Sequence, residues 1–348
     1  LFCCYLLCYM HRMVIASAIP FIAREFDLSP LAMGGVLSSF FVGYALMQIP
    51  GGLLADRFGP NRVMTLAILC WSVFTALTGM ASSLVMLLAI RVLFGLSEGP
   101  FPPTASKTIA LWFPPREVGR ANGLQLAAVN LGGAMAPLLV VPLIIVWGWR
   151  SVFFSLLLPG LLLALMVRVY VKDVPPQGEL AQTPSASAPP AVSVMQVLRM
   201  PALAWCAVTL FFTNIAHWGL MNWLPTYLLE ERGFGIARMG IFASLPFFSG
   251  AIGYFLGGWI SDRYFERRRH VPILFGLLAS GAMTYLGAVA PSGEWAVAAL
   301  VPAFLFHSIA SAGLFTLPLI VAPQHAVGAA FGFVNTVGQV AAFIPPLV

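Results

Sequence analysis

Apolar residues run along this chain in blocks of about 20, the length that crosses a hydrocarbon core, and short polar breaks separate the blocks. The blocks lack the strict alternation of a membrane β-barrel strand. Where water is absent every backbone N–H and C=O must be satisfied internally, so continuous apolar blocks predict α-helices. The pattern places spans at 1–25, 31–55, 63–82, 84–112, 118–142, 146–171, 200–228, 238–260, 271–290, 295–320 and 326–348. The sequence starts at Leu1 and stops at Val348, each inside an apolar block, and is read as trimmed at both ends with a twelfth span to come. The first block has neither a basic leader nor a small-residue cleavage site, so no cleavable signal peptide is expected.

One connection is long. KDVPPQGELAQTPSASAPPAVSV, within 172–199, is too polar to span and too rich in Pro for a stable helix. It divides the expected all-α, polytopic fold into a six-helix bundle at 1–171, a linker at 172–199 and a second bundle at 200–348 that lacks its last helix. A repeat supports two related halves. An offset of 206 carries GGLLADRF (Gly51 to Phe58) onto GGWISDRY (Gly257 to Tyr264), and pairs His11 with His217, Met33 with Met239 and Ser38 with Ser244. Apolar blocks match by chance, but an Asp-Arg pair behind two glycines at a fixed offset does not. Such pseudo-symmetric halves are known among transporters.

Composition sharpens the membrane assignment. The 348 residues are 60% hydrophobic and 9% charged, against roughly 25% charged in a soluble domain, too few charges to cover a water-facing surface. The net charge of +6 has a local source that needs no nucleic acid. Of the 18 Lys and Arg, eleven (Arg57, Arg62, Arg116, Arg120, Arg168, Lys172, Arg199, Arg263, Arg267, Arg268, Arg269) fall in one set of loops and four (Arg24, Arg150, Arg232, Arg238) in the other. The positive-inside bias puts the first set and the linker in the cytoplasm of a multi-pass protein of the cell's inner (plasma) membrane. The five cysteines sit in apolar blocks without metal-ligand spacing and are read as packing residues. Lys107, toward the cytoplasmic end of its span, is read as snorkelling to the interface.

The loop after the second span reads GGLLADRFGPNR. Its glycines allow close helix approach, and Arg57 and Arg62 can pair with acids or cap helix ends near Asp56. Gly52-x-Leu54-x-Asp56-Arg57-x-Gly59 resembles the G-x-L-x-D-R-x-G signature of the major facilitator superfamily. That resemblance implies two pseudo-symmetric six-helix bundles and a cytoplasmic clasp of Gly52, Asp56, Arg57, Gly59 and Arg62, answered by Asp262 and Arg263 in the second half. Asn61 departs from the pattern, which usually has a basic residue there. Three further stretches, YALMQIPGGLLADRFG, RVLFGLSEGPFPPTASKTIALWFPPREVGRANG and WLPTYLLEERG, are similar to the anion:cation symporter family, carriers of sugar acids, sialic acid, glutamate and phosphate.

Charge inside a span is costly and usually faces a cavity. Arg91 and Glu98 are seven apart, about two turns or roughly 10 Å, and lie on one helix face. An arginine can grip a carboxylate bidentately, and desolvation disfavours the charged form of a carboxyl. An ion pair between these two residues is the structural alternative. The resemblance implies that Arg91 meets the substrate anion and that Glu98 carries a proton. It also ties Arg12, Tyr44 and Asn335 to substrate or coupling, and sets His11 where most relatives have Asp. His11, with an ordinary titration near neutral pH, is either a substitute proton group or a packed neutral residue. Gln48, one turn from Tyr44, and His217 complete the candidate substrate contacts. His307, Ser308 and Asn222 are further polar residues in apolar settings.

No P-loop, metal constellation or nucleophile triad is present in the sequence, so no enzyme activity, cofactor or metal is expected. The expected function is uptake of a small organic anion with a proton, by a monomer in the lipid bilayer with alternating access. A facilitator or exchanger without proton coupling and a transporter-like sensor are the alternatives.

Overall fold

The computed structural model describes residues 1–113, 118–173, 200–265, 268–321 and 327–345, and these are helical with no strand among them. Most of the linker lies outside the described residues, as do Arg116, Arg199 and Arg267. The helices are α1 (Phe2–Phe26), α2 (Pro30–Phe58), α3 (Pro60–Thr78), α4 (Leu84–Glu98), α5 (Phe101–Trp112), α6 (Val118–Trp147), α7 (Trp149–Ser155), α8 (Leu157–Tyr170), α9 (Pro201–Thr226), α10 (Ile236–Tyr264), α11 (His270–Ala288), α12 (Gly293–Val321) and α13 (Val327–Ala341). Among the described residues ten helical stretches are long and apolar enough to cross a membrane. The eleventh expected span appears as the 15-residue α13.

Two boundaries differ from expectation for reasons of proline chemistry. The span at 84–112 is two helices, α4 and α5, that meet at Gly99-Pro100 directly after Glu98. Pro100, Pro102 and Pro103 withhold three consecutive-turn donors, so the α4 ladder ends and a new helix starts. In the other direction, α6 runs through Pro137 and Pro142 to Trp147, past the expected end at 142. Transmembrane helices tolerate internal proline where neighbours absorb the distortion. Gly148, at φ 78°, then makes the left-handed turn into α7.

Contacts cluster the chain into two compact units. The first comprises residues 1–182, 222–244 and 346–348, the second 183–221 and 245–345. In the first, α1 packs on α6 and α2 on α4. The α2/α4 crossing is set by glycine. A Cβ at Gly43 would strike the Val92 carbonyl and the Leu96 nitrogen, and one at Gly95 would strike the Phe40 carbonyl. Trp71 of α3, fully buried, meets the edge of Phe101 with ring centroids 5.2 Å apart, and Tyr5 of α1 lies 4.8 Å from the same ring. The broken helix is thereby pinned between α1 and α3.

In the second unit α11 packs on α12 and α12 on α13. The offset of 206 reappears as contact. Gly43 and Gly95 press α2 on α4, and their counterparts Ser249 and Val301 join α10 to α12, the Ser249 hydroxyl donating to the Val301 carbonyl at 2.6 Å. Gly51 abuts Pro100, and its counterpart Gly257 abuts Ile309. The repeat is thus one helix-crossing geometry used twice, each copy within its own unit.

Close backbone approach makes a prediction about stability. Gly95→Val is expected to lower the thermal unfolding temperature of the detergent-solubilised protein, by an overpacking cost of about 1–3 kcal/mol. Gly281→Ala, where a Cβ meets nothing within 4 Å, is expected to leave that temperature unchanged or raise it. Equal melting curves for the two variants would contradict the glycine crossing.

Candidate functional site

The break after Glu98 places a carboxylate at the end of a half-helix, buried inside the first unit. Arg12 of α1 meets it there. Its Nε donates to Glu98 Oε1 at 2.9 Å, and its Nη2 donates to the same oxygen in an ion pair. Both side chains are buried. Three aromatic rings surround the guanidinium, with Tyr9, Phe40 and Tyr44 at 4.6, 4.7 and 4.6 Å from its carbon. Tyr9 also accepts from Arg12 Nη1 at 3.4 Å. A desolvated cation over aromatic faces gains roughly 2 kcal/mol from the ring quadrupole, which partly offsets its burial.

Arg91, on the same helix as Glu98, is buried too. It stands 5.3 Å from Phe40 and 4.8 Å from Phe94, and forms no salt bridge among the described residues. Its Nε and the second oxygen of Glu98, Oε2, find no hydrogen-bond partner there. The Arg91–Glu98 pair that the seven-residue spacing allowed is therefore not the one formed. Glu98 belongs to Arg12, across helices, and Arg91 is the uncompensated cation. Phe40 touches both guanidiniums, so the two positive groups share one aromatic wall.

The other expected residues divide. Tyr44 joins the site as part of the Arg12 cage, and Gln48, one turn on, is half-buried with its Nε2 unpartnered. His11 does not join it. Adjacent residues on a helix point about 100° apart, and His11 turns to α3, its Nδ1 2.9 Å from Thr75 Oγ1. Thr75 donates its hydroxyl proton to the Trp71 carbonyl at 2.8 Å, so it accepts from His11 Nδ1–H. The imidazole is held as a hydrogen-bonded residue of the α1/α3 contact, with Nε2 buried and unpartnered. In the second unit His217 stacks on His307, and Asn335 is half-buried in α13. Asn214, which the sequence did not single out, donates to the Gly338 carbonyl at 2.9 Å and ties α9 to α13.

At the end of α2, Gly59 takes φ 85°, and Gly52 has room for a Cβ, 3.7 Å from Pro103. Arg57, Arg62 and Arg263 are exposed, while the side chains of Asp56 and Asp262 lie outside the described ones. Polar contacts in this region come from residues the sequence undervalued. Asn61 Nδ2 donates to the carbonyls of Val167, Arg168 and Val171, capping α8, and its Oδ1 accepts from Arg168 Nη1 at 3.1 Å. Asp173 Oδ1 in turn accepts from the Asn61 backbone N–H at 2.7 Å, at the start of α3. Lys107 Nζ donates to the Ala55 carbonyl at 3.0 Å in the last turn of α2, where a cation complements the helix dipole.

Tyr9, Phe40 and Phe94, also missed, were within reach of sequence reasoning. They stand three, four and three residues from Arg12, Tyr44 and Arg91, the spacing of one helix face.

Comparison with known proteins agrees with this architecture. The family model of the Major Facilitator Superfamily matches residues 1–346. The probable sulfoacetate transporter SauU of Cupriavidus necator is 32% identical over 99% of this chain and 84% of its own. The hexuronate transporter of Bacillus subtilis is 28% identical over 97% and 83%, and the probable galactarate/D-glucarate transporter GarP of Escherichia coli (strain K12) is 29% identical over 98% and 84%. Among solved structures, a bacterial homolog of the human lysosomal transporter Spinster in an inward-facing, occupied conformation superposes with a TM-score of 0.83. It covers 99% of this chain and 78% of that one at 22% identity. A D-xylose-proton symporter gives 0.80 over 99% and 87% at 16% identity. At such identities these two speak for the fold alone.

The buried ion pair can be tested without any substrate. Glu98→Leu leaves two buried guanidiniums uncompensated and is expected to cost about 3–5 kcal/mol of stability. Adding Arg12→Leu to the same protein is expected to recover most of that loss, because two apolar groups replace two charges. A double-mutant cycle by thermal unfolding in detergent checks the pair. Additive losses would contradict it.

Proposed function

The chain belongs to the major facilitator superfamily, a family of multi-pass membrane transporters and not of enzymes, and on that premise we propose that it takes up a small organic anion together with a proton. The observation that carries the proposal is the charge balance of the buried site. Two guanidiniums, Arg12 and Arg91, face one carboxylate, Glu98, leaving one positive charge uncompensated among these three. Isolated charge at that depth is expensive, and a carboxylate or another oxyanion is the natural complement of an arginine fork. The transporters it resembles are named for sulfoacetate, hexuronates and galactarate or glucarate, all acids with anionic groups.

Proton coupling follows from how Glu98 is held. As a carboxylate it occupies Arg12. A proton on Glu98 removes that attraction and frees the Arg12 guanidinium, so the site then offers two cations to the anion. Proton and anion therefore bind more favourably together than separately, which is the thermodynamic content of symport. Tyr44 beside Arg12, and Gln48 one turn further along α2, supply neutral donors, and His217 and Asn335 supply contacts from the later half. The halves at 1–171 and 200–348, joined by a cytoplasmic linker, rock to expose the site alternately to each side. The Gly52–Arg62 segment and the Asp262–Arg263 pair act as the clasp. His11 serves as an interhelical hydrogen bond, and the proton resides on Glu98. The protein works as a monomer in the inner membrane.

Uptake into proteoliposomes tests this directly, with glucarate, a hexuronate and sulfoacetate offered with and without an inward proton gradient. Arg91→Ala is expected to weaken the apparent affinity for the anion by about 30-fold or more, the loss of a charge-assisted contact of roughly 2 kcal/mol. Glu98→Gln, which mimics the protonated carboxyl, is expected to retain anion exchange while losing acceleration by the gradient. Full gradient-driven uptake by Glu98→Gln would overturn the coupling role. Wild-type uptake indifferent to the gradient would instead favour a facilitator or exchanger.

A further inference from the structure

In the second unit His217 of α9 and His307 of α12 lie face to face, ring centroids 4.6 Å apart and planes 8° from parallel. Aromatic side chains enclose them. Phe304 tilts against His217 at 6.0 Å, Trp218 meets it edge-on at 5.8 Å, and Phe247 of α10 backs Phe304 at 5.4 Å. His307 is buried and His217 partly so, and both stand within membrane spans. The internal repeat shows this to be a departure. The offset of 206 maps His217 to His11 and His307 to Phe101, so in the first unit the second ring is an apolar phenyl and His11 bonds Thr75 instead.

The other titratable and charged groups of this unit stand apart from the pair by position. On α9 there is Cys206, three turns before His217. On α10, Tyr254 bonds Ser311, and Arg263, Tyr264 and Asp262, whose side chain is not among the described ones, close the helix. Arg268, Arg269 and His270 begin α11, with Tyr285 exposed at its other end, and Glu294 opens α12. The described part of α13 carries no titratable residue. Among the described residues the two imidazoles are therefore the basic groups of this unit's interior.

Parallel rings restrict what such a pair can bind. An imidazole lone pair lies in its ring plane, so two stacked parallel rings cannot direct both lone pairs to one metal ion. One proton is different. An imidazolium over the π face of a neutral imidazole is attracted to it, whereas a second proton would set two like charges at stacking distance. We propose that His217 and His307 form a single-proton site, the one proton belonging to the pair and the second resisted. Occupied, it places a positive charge in the later half and strengthens binding of an anion. The effect on the anion rests on the transport reading above, but proton binding by the pair does not.

Ring nitrogen-15 NMR of histidine-labelled protein in detergent, titrated from acid to alkaline pH, reads the site itself. The wild-type pair is expected to titrate in two linked steps about one pH unit or more apart. In His307→Phe, which keeps a stacked ring and removes its nitrogens, His217 is expected to titrate in a single step. In His217→Gln the same simplification is expected for His307, a second route if the first variant folds poorly. Identical His217 titrations in wild type and His307→Phe would overturn the shared site. In proteoliposomes the KM for glucarate is expected to rise several-fold from low to high pH in wild type, and to lose the part of that rise set by the pair in His307→Phe. A KM–pH profile unchanged by His307→Phe would overturn the link to anion binding. Failure of the anion reading shows elsewhere, as an Arg91→Ala protein with unaltered KM.

Discussion

A charged side chain deep in a bilayer must find a partner, and the structure of the first unit is organised around one such partnership. Glu98 sits where α4 ends, and it ends there because Pro100, Pro102 and Pro103 have no N–H to extend its ladder. Arg12 reaches it from α1, and both α1 and the α4/α5 break are fixed by packing on Phe101 and Trp71. The α2/α4 glycine crossing brings Phe40 and Tyr44 against the guanidiniums. Removing any of these supports would shift the ion pair, because its two partners are carried on different helices.

The consequence for function lies in the imbalance. One carboxylate is shared unequally by two arginines, so Arg91 stays in reserve while Arg12 is occupied. In the proposed cycle an anion satisfies the reserve and a proton releases the rest. On that reading binding energy and coupling arise from the same three side chains, with aromatic rings supplying a surface that stabilises cations without neutralising them. The second half holds the stacked histidines, a difference that the repeat makes visible because Phe101 is the residue that corresponds to His307 at the offset of 206.

Much of the architecture was legible in the sequence because membrane helices announce themselves by length and polarity. The spans, and the presence of Arg12, Arg91 and Glu98 inside them, followed from apolar blocks interrupted by charge, the repeat at 206 from a match at fixed offset, and the roles given to those three residues largely from the family resemblance. Pairing was not legible. A spacing of seven joins Arg91 and Glu98 on one face, yet the stronger contact runs between helices 86 residues apart, and linear spacing carries no information about that crossing. Both readings of His11 stayed open in the sequence for a related reason, since neighbours in sequence point to different helices, and His11 meets Thr75 of α3. Asn61 looked like a lost positive charge, although a neutral amide with donors and an acceptor can cap α8 and receive Arg168 at once.

Isothermal titration of glucarate into the purified protein, repeated in buffers of different ionisation enthalpy, measures protons exchanged on anion binding. Coupling through Glu98 predicts net proton uptake near neutral pH, reduced in Glu98→Gln while anion binding persists. Binding with no proton exchange in the wild type, or uptake unchanged in Glu98→Gln, would contradict it.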